Sequence, residues 1–343
     1  MNICFLMYPW DRVAPETDTT LRMIHEAASR RHKVAILMPK NLTIRESMTF
    51  GFCRMLKREE KVPQNIMSFY KKAEFKEQLV PMSGFDVIFV RTNPPLDPVM
   101  LNFLDSVKDD TFIVNDIDGL RKANNKLYSA AFEDPENKII PITHVSKNKD
   151  YLKKVIKESD SEKMILKPLE GYGGSGVIVI EKTAMQSVTS LLDFYITGKR
   201  GEDHYVILQE YLEGAKDGDV RVLMLNGEAI GAMKRVPSSD DVRANVHAGG
   251  TAHKHVLTKE EKALCKKIGP KLVADGLYFV GLDLIGGKLI EINVCSPGGI
   301  TRINAFNRVK LQQKVLDFVE NVVSNKEKAI ARKHAFRKKI EDA

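Results

Sequence analysis

The chain has 343 residues, 43% hydrophobic and 29% charged, the balance of a soluble globular protein long enough for two or three domains with real cores. No run of about 18 apolar residues occurs, and the N-terminal MNICFLMYPWDR carries neither a basic leader nor a long apolar region, so we expect a soluble, cytoplasmic protein without a membrane partner. Four cysteines, Cys4, Cys53, Cys265 and Cys295, have no CxxC spacing and suit a reducing compartment. The net charge is +8, but seven basic residues crowd between Lys326 and Lys339 against three acids, Glu327, Glu341 and Asp342. Residues 324–343 therefore read as a basic, solvated helical tail, and the remaining excess suits a protein that handles anionic small molecules. No aromatic–basic platform is visible, so nucleic acid is not an expected partner.

In chain order, Ile3–Met7 reads as a buried strand. Asp18 or Thr19 caps a helix with apolar positions at Leu21, Ile24 and Ala28, and Val34–Met38 returns as a strand, a βαβ unit of a doubly wound sheet. Residues 41–80 are basic and poorly periodic and take no assignment. Asp86–Val90 is a strand stopped by Arg91-Thr92-Asn93-Pro94-Pro95, followed by a helix over Asp97–Val107 and a strand at Thr111–Asn115. Ligands of open α/β sheets bind beyond the carboxyl ends of the strands, which makes Arg91 and the Tyr8–Arg12 loop candidate substrate contacts. Asp118–Phe132 reads as one helix carrying Lys122 and Lys126.

Pro135 and Pro141 mark a linker, and a second domain begins near Thr143. It holds a helix at Lys149–Lys157, a strand at Met164–Lys167, a loop at Pro168–Ser175 and a strand at Gly176–Glu181. A helix near Ala184–Tyr195 leads to the strand Tyr205–Tyr211. Val220–Leu225 and Glu228–Lys234 form a hairpin over Asn226-Gly227. Arg235–Gly250 has the composition of a loop, and Thr258–Asp275 that of an amphipathic helix.

The segment Gly281–Gly299 then places Asp283, Glu291 and Asn293 among alternating apolar residues, on two strands around Gly286-Gly287, with an anion-sized backbone nest at Ser296–Gly299. A two-residue turn would put Asp283 and Glu291 on opposite faces. An odd-membered loop such as Ile285–Gly287 would put both carboxylates and the Asn293 amide on one face, with diagonal neighbours roughly 7–8 Å apart. Such hard oxygen donors suit magnesium, which also keeps water and substrate phosphates as ligands.

Gly171-Tyr172-Gly173-Gly174-Ser175-Gly176 matches G-x-G-x-x-G after a strand, but Val177–Ile180 continues as a strand where a dinucleotide fold needs a helix. G-x4-G-K-[ST] is absent, which excludes a P-loop. What remains is a strand–glycine loop–strand flap whose amides can close over phosphates, with the Lys167 ammonium on the entering strand. Arg221 and Arg235 on adjacent strands, and Arg243 and Asn245 in the loop, add guanidiniums suited to phosphoryl oxygens.

Together KPLEGYGGSG, QEYL, DGDVRV, RANx3GG and GLDLIGGKLIEINVCSP resemble the ATP-grasp ligases, in particular the bacterial glutathione synthetases, from the first βαβ unit to about Val323. The resemblance implies an α/β and α+β architecture: an N-terminal Rossmann-like substrate domain (1–120), an ATP-grasp lid with the glycine flap (121–205) and an ATP-grasp core (206–323). Lys126 and Lys167, with the flap residues Gly171, Tyr172, Gly173, Gly174 and Ser175, would contact ATP phosphates, and Gln209, Glu210, Tyr211 and Leu212 would hold adenine. Asp283, Glu291 and Asn293 would bind magnesium, or manganese in its place. Arg221, Arg235, Arg243 and Asn245 would form the catalytic set around the transferred phosphoryl group, and Arg91, Ser296, Gly298 and Gly299 would meet the substrate. The chemistry implied is phosphorylation of a γ-glutamylcysteine carboxylate and attack by the amine of glycine, in a homotetramer. Two features depart from the family pattern: Cys295-Ser296-Pro297-Gly298-Gly299 stands where Thr-Ser-Pro-Thr is usual, and the Tyr8–Arg12 loop and the basic 41–72 segment are unlike it. A peptide or amino-acid ligase of the ribosomal-protein-modifying kind, suggested by Pro297-Gly298-Gly299, and a silent ATP-binding regulator like the synapsins are the alternatives. The full set Lys167, Arg221, Asp283, Glu291 and Asn293 speaks against the latter.

Overall fold

The computed structural model describes residues 1–58, 60–136, 138–171, 175–197, 203–237 and 250–342. The first βαβ unit forms as expected from β1 (Asn2–Met7), α1 (Thr19–Ser29) and β2 (Lys33–Leu37), and the Asp18 carboxylate caps α1 by accepting from the Leu21 amide. Residues 41–80, which the hydropathy pattern leaves unassigned, supply β3 (Leu42–Arg45), β4 (Met48–Leu56), α2 (Ile66–Lys72) and β5 (Phe75–Pro81). The pattern hides them because β4 turns small residues inward. Thr49, Gly51 and Cys53 are buried while Phe52 points outward, 55% exposed. A Cβ on Gly51 would lie 2.8 Å from Met82 Sδ and 2.9 Å from Leu37 Cδ2, so large apolar residues cannot occupy that inner face.

The strand β6 (Val87–Arg91), α3 (Pro98–Asp105) and β7 (Phe112–Val114) complete a seven-stranded sheet of order β3-β4-β2-β1-β6-β7, with β5 paired to β4. Its centre, β2-β1-β6-β7, is parallel; the added β4 edge is antiparallel. The expected single helix over 118–132 is instead two, α4 (Ile117–Ala123) and α5 (Leu127–Ala130). The Asn125 side chain accepts from the Leu127 amide at 3.0 Å and restarts the helix there. That break sets Lys126 at a corner rather than on a helix face.

The next unit contains β8 (Thr143–Ser146), α6 (Lys149–Glu158), β9 (Lys163–Pro168), β10 (Ile178–Glu181), α7 (Met185–Ile196) and β11 (Val206–Glu210), with an antiparallel sheet of order β10-β9-β11-β8. The last contains β12 (Asp219–Leu225), β13 (Glu228–Val236), β14 (Thr251–Lys254), α8 (Lys259–Ala274), β15 (Phe279–Ile285), β16 (Lys288–Asn293), α9 (Ile300–Asn307) and α10 (Leu311–Glu341), with sheet order β14-β13-β12-β15-β16. A capping box between Thr258 and Glu261 starts α8.

Both hairpins of this last sheet use two-residue turns with positive φ at both positions, 49° and 82° at Asn226-Gly227 and 56° and 78° at Gly286-Gly287. The odd-membered loop that one reading of the sequence requires is therefore not formed. Instead, the partner of Leu284 is Leu289 while the partner of Asp283 is Glu291, so Ile290 is an extra residue in a β-bulge. The bulge corrects the parity: Asp283 and Glu291 end up directly opposite on one face despite the two-residue turn. The β12–β13 hairpin makes the same correction at Ile230, between the pairs Met224–Ala229 and Leu223–Gly231.

The N-terminal sheet and the five-stranded sheet pack as one body, since Leu6, Ile88 and Ile113 share a buried cluster with Val222, Val280 and Leu282. Asn115, 3% exposed, joins them with its amide: Nδ2 donates to Phe279 O (2.9 Å) and Val294 O (2.7 Å), and Oδ1 accepts from Phe279 N (2.7 Å). The four-stranded unit has a separate core built on Leu152, Leu166, Ile180, Leu192 and Leu208. Beyond Ser324 the residues of α10 are exposed, as expected for the basic tail, although Lys326 Nζ donates to the Asp109 and Asp110 carbonyls. Among the described residues no helix is long and apolar enough to cross a membrane.

The backbone entering β12 is fixed by Gly218, at φ 94°, where a Cβ would lie 1.9 Å from Arg235 O. Gly218→Ala is expected to cost about 1–3 kcal/mol, read as a lower denaturant midpoint; an unchanged midpoint would mean that the chain takes another path there.

Candidate active site

One face of the five-stranded sheet is polar because of strand parity. Asp219 and Arg221 are two residues apart on β12, Arg235 stands opposite Asp219, Asp283 opposite Arg221, and Glu291 opposite Asp283. Side chains directly opposite each other share a face, so all five converge, and Asn293 joins them one pleat further along β16.

Asp283 lies at the centre, 5% exposed. Arg221 forks onto it through Nε (2.5 Å) and Nη2 (2.9 Å), Arg235 Nη2 reaches Oδ1 at 3.0 Å, and Asn293 Nδ2 donates to Oδ2 at 3.0 Å. Burial alone would push this carboxyl up, but the two guanidiniums hold it down at about 2. Arg235 also forks onto Asp219, Nε and Nη2 each at 2.6 Å. The face is a ladder in which Arg235 bridges half-buried Asp219 and buried Asp283, and Arg221 forks onto Asp283.

Glu291 is more open and faces Lys126, whose Nζ lies 3.6 Å from Oε1. The same ammonium donates to Gly171 O at 2.7 Å, so Lys126 ties the foot of the glycine flap to the carboxylate face. Lys167, 4% exposed on β9, donates to Gln209 Oε1 at 2.9 Å, and Gln209 Nε2 donates to Thr143 Oγ1 at 2.8 Å. Burial lowers the Lys167 ammonium to about 8, although the nearby Glu291 charge acts against it. The four hinge residues thus play unlike parts. The Gln209 side chain is turned onto Lys167. Glu210 accepts from Lys288 Nζ (3.0 Å) and the Ile142 amide (3.1 Å). Tyr211 and Leu212 follow the strand end, half-buried.

A cavity of about 450 Å³ opens over the polar face. Its walls include Lys126, Arg221, Arg235, Asp283, Glu291 and Asn293 on one side, and the Ser296–Gly299 loop, Arg302, Thr17 and Asn93 on the other. A narrower cleft shares Lys126 and runs between the two sheets past Lys167, Gln209 and Thr143 to Leu289 and Ile290.

Most of the residues singled out in the sequence therefore meet on this cavity or cleft. Arg91 does not. At 3% exposure it lies beneath the 296–299 loop, with Nε donating to Thr20 Oγ1 and Nη2 to Pro297 O, both at 3.0 Å. It supports the loop from below, because Met7 and Arg91 are paired neighbours at the ends of β1 and β6, underneath that loop. The expected backbone nest at Ser296–Gly299 is likewise altered. Gly299 donates its amide to Thr19 Oγ1, and the Pro297 and Gly298 carbonyls accept from Arg91 and Arg221. Tyr172, Gly173, Gly174, Arg243 and Asn245 lie outside the described residues, while Gly171 and Ser175 at the flap's two feet are exposed. The sequence marks Asp219 only as part of Asp219-x-Arg221, with no role of its own, and does not mark Arg302, which sits on a helix whose orientation only packing fixes.

Two carboxylates, Asp283 and Glu291, face each other with the Asn293 amide beside them, all hard oxygen donors of the kind magnesium takes when water and substrate phosphates complete its shell. No group of three or more His, Cys, Asp or Glu that could hold a metal forms among the described residues.

Comparison with known proteins agrees with this geometry. The family model for the prokaryotic glutathione synthetase N-terminal domain matches residues 1–121, and that for the prokaryotic glutathione synthetase ATP-grasp domain matches residues 125–308. The glutathione synthetase of Gloeobacter violaceus is 33% identical over 332 residues, covering 93% of this chain and 96% of that one. Among solved structures, the D-cycloserine synthetase DcsG superposes with a TM-score of 0.61 at 14% identity, covering 93% of this chain and all of that one. The ATP-grasp ligase PsnB, solved with a minimal precursor, Mg and ADP, gives 0.59 at 15% identity, over 94% of this chain and 98% of that one. At such identities these structures speak for the fold alone. The N-terminal domain, the two-part ATP-grasp fold and the matches along nearly the whole chain lead to one conclusion: the chain belongs to the prokaryotic glutathione synthetase family of ATP-dependent ligases.

Proposed function

We propose that the cavity over the carboxylate–arginine face is where this chain joins γ-glutamylcysteine to glycine at the expense of ATP, giving glutathione, ADP and phosphate. The observation that carries this reading is the placement of Lys126 and two arginines around a hard-oxygen donor pair in one cavity, beside the foot of the glycine flap at Gly171, with Lys167 in an adjoining cleft that shares Lys126. ATP would lie in the cleft between the two sheets, its adenine at the Glu210–Leu212 strand end and its phosphates toward Lys167, Lys126 and the flap. Asp283, Glu291 and Asn293 would hold magnesium, which when bound neutralises phosphate charge and orients the transferred group.

Arg221 and Arg235 stand where a guanidinium can stabilise the charge that moves onto the phosphoryl oxygens. The cysteinyl carboxylate of γ-glutamylcysteine attacks the γ-phosphorus and ADP leaves; the glycine amine then attacks the acyl carbon and phosphate leaves. Acyl phosphates hydrolyse, so water must be kept out. The separate core of the four-stranded unit supports its closing as one body over the cavity. Arg243 and Asn245, in the stretch after β13, are proposed to join the phosphoryl site. Ser296, Gly298 and Arg302 face the substrate side of the cavity, and Arg91 shapes that wall through Pro297. A cytoplasmic setting is supported by four buried, unpaired cysteines, and a homotetramer is proposed on family resemblance.

Two measurements test this reading. ADP release is expected to need ATP with magnesium, γ-glutamylcysteine and glycine together, and to fall by orders of magnitude in a folded Glu291→Gln variant. Release that needs the γ-glutamyl substrate but ignores glycine would point to another amine acceptor, and near-normal turnover of Glu291→Gln would remove the metal assignment. The second concerns pH. The Lys167 ammonium carries charge below about 8 and loses it above, so phosphate pairing is strongest on the acid side. Calorimetric ATP affinity should therefore fall as pH rises from about 7 to 9.5, by up to about tenfold per unit, and Lys167→Met should bind weakly with no such slope. A slope retained in Lys167→Met would assign it to another group.

A further inference from the structure

We infer that Asp219 is a positioning residue that keeps Arg235 aimed at the transferred phosphoryl group while Asp283 is engaged by the metal. The inference rests on the reading of Asp283 as a magnesium ligand and extends it to a residue outside the cavity. Asp219 does not line the cavity; Arg235 and Asp283 do. Its carboxylate takes Arg235 in a two-point fork, Nε to Oδ1 and Nη2 to Oδ2, both 2.6 Å, while Arg235 makes one 3.0 Å contact with Asp283. Asp283 meanwhile receives the fork of Arg221.

The two arginines are therefore not equivalent. Arg221 is oriented by the same carboxylate that a cation would claim, and it also donates to Gly298 O at 3.3 Å. Arg235 is 3% exposed and has its own dedicated carboxylate behind it. A planar guanidinium gripped at two points has its direction fixed, not merely its charge balanced. When Asp283 turns an oxygen to a cation, its hold on Arg235 weakens, and the Asp219 fork still fixes where the remaining N–H groups point. Without that fork Arg235 would lean harder on Asp283, and metal and arginine would compete for that carboxylate. Asp219 would then serve both the aim of the arginine and the availability of the metal ligand. The strand register makes this possible: Asp219 pairs with Arg235 across β12–β13, two residues from the Arg221–Asp283 pair on the same face.

The test uses the full-length protein, with ADP binding followed by calorimetry against free magnesium, and turnover measured alongside. Asp219→Asn keeps the shape and removes the charge. Arg235→Lys keeps the charge and removes the fork, and it carries the test should the first variant not fold. Each is expected to lower turnover about 10- to 100-fold and to raise the magnesium concentration that half-supports ADP binding about tenfold. The double variant should be no worse than Arg235→Lys alone, since Asp219 acts through that arginine. Losses that multiply in the double variant, or a magnesium dependence equal to wild type in a folded single variant, would overturn the inference and leave the metal site standing. Wild-type ADP binding indifferent to magnesium would instead overturn the metal reading, and this inference with it.

Discussion

A carboxylate that is almost fully out of water must be neutralised by something close and well directed, and Asp283 sets that demand for the whole molecule. Two guanidiniums meet it, one from each strand of the β12–β13 hairpin. Removing one partner of such a buried pair typically costs about 3–5 kcal/mol, because a stranded charge remains. The arginines are thus held to the carboxylate face by the stability of the fold as well as by function. Preorganisation follows: cations that would otherwise sample solvent are already clustered on one face, and little reorganisation would be required of them in the phosphoryl transfer proposed there.

The rest of the architecture presents that face. The N-terminal sheet shares a continuous apolar core with the five-stranded sheet, and Asn115 closes three hydrogen bonds across the junction. Arg91 reaches from the end of β6 to the Pro297 carbonyl and sets the height of the opposite wall. The four-stranded unit has its own apolar core and meets the remainder through polar links, Lys126 to Gly171 and Glu210 to Lys288, and along the cleft where Ile207 lies with Leu289 and Ile290. Apolar continuity joins two of the units into one body, whereas the separate core of the third is consistent with the closure over a nucleotide proposed above.

The two β-bulges carry a more general point. A tight two-residue turn gives a stable hairpin but imposes a parity that would separate Asp283 from Glu291. One additional residue, Ile290, restores the alignment. The chain thereby keeps the favoured turn geometry of Gly286-Gly287 together with the functional register. Ile230 does the same for the hairpin that carries Arg221 and Arg235.

Much was legible in the sequence alone. The strands and helices of the regular segments, the failure of the dinucleotide reading at Gly171–Gly176, and the grouping of Lys167, Arg221, Arg235, Asp283, Glu291 and Asn293 all follow from local periodicity and residue chemistry. Each element's signal is encoded within a few residues, and the candidate residues were grouped by their chemistry along one stretch of the chain. What the sequence could not determine depends on partners far along the chain. The edge strands in 41–80 were hidden because their inner face must be small against Met82 and Leu37. The helix break before Lys126 turned on one asparagine side chain competing with the backbone. Arg91 proved to be a support beneath a loop some 200 residues away in sequence. The shared face of the two carboxylates was decided by a bulge, and the fork of Asp219 on Arg235 by register across a hairpin. Residue chemistry fixes which charges are available; only tertiary packing decides which of them are buried together, because burial and pairing are properties of the assembled sheet and not of any one strand.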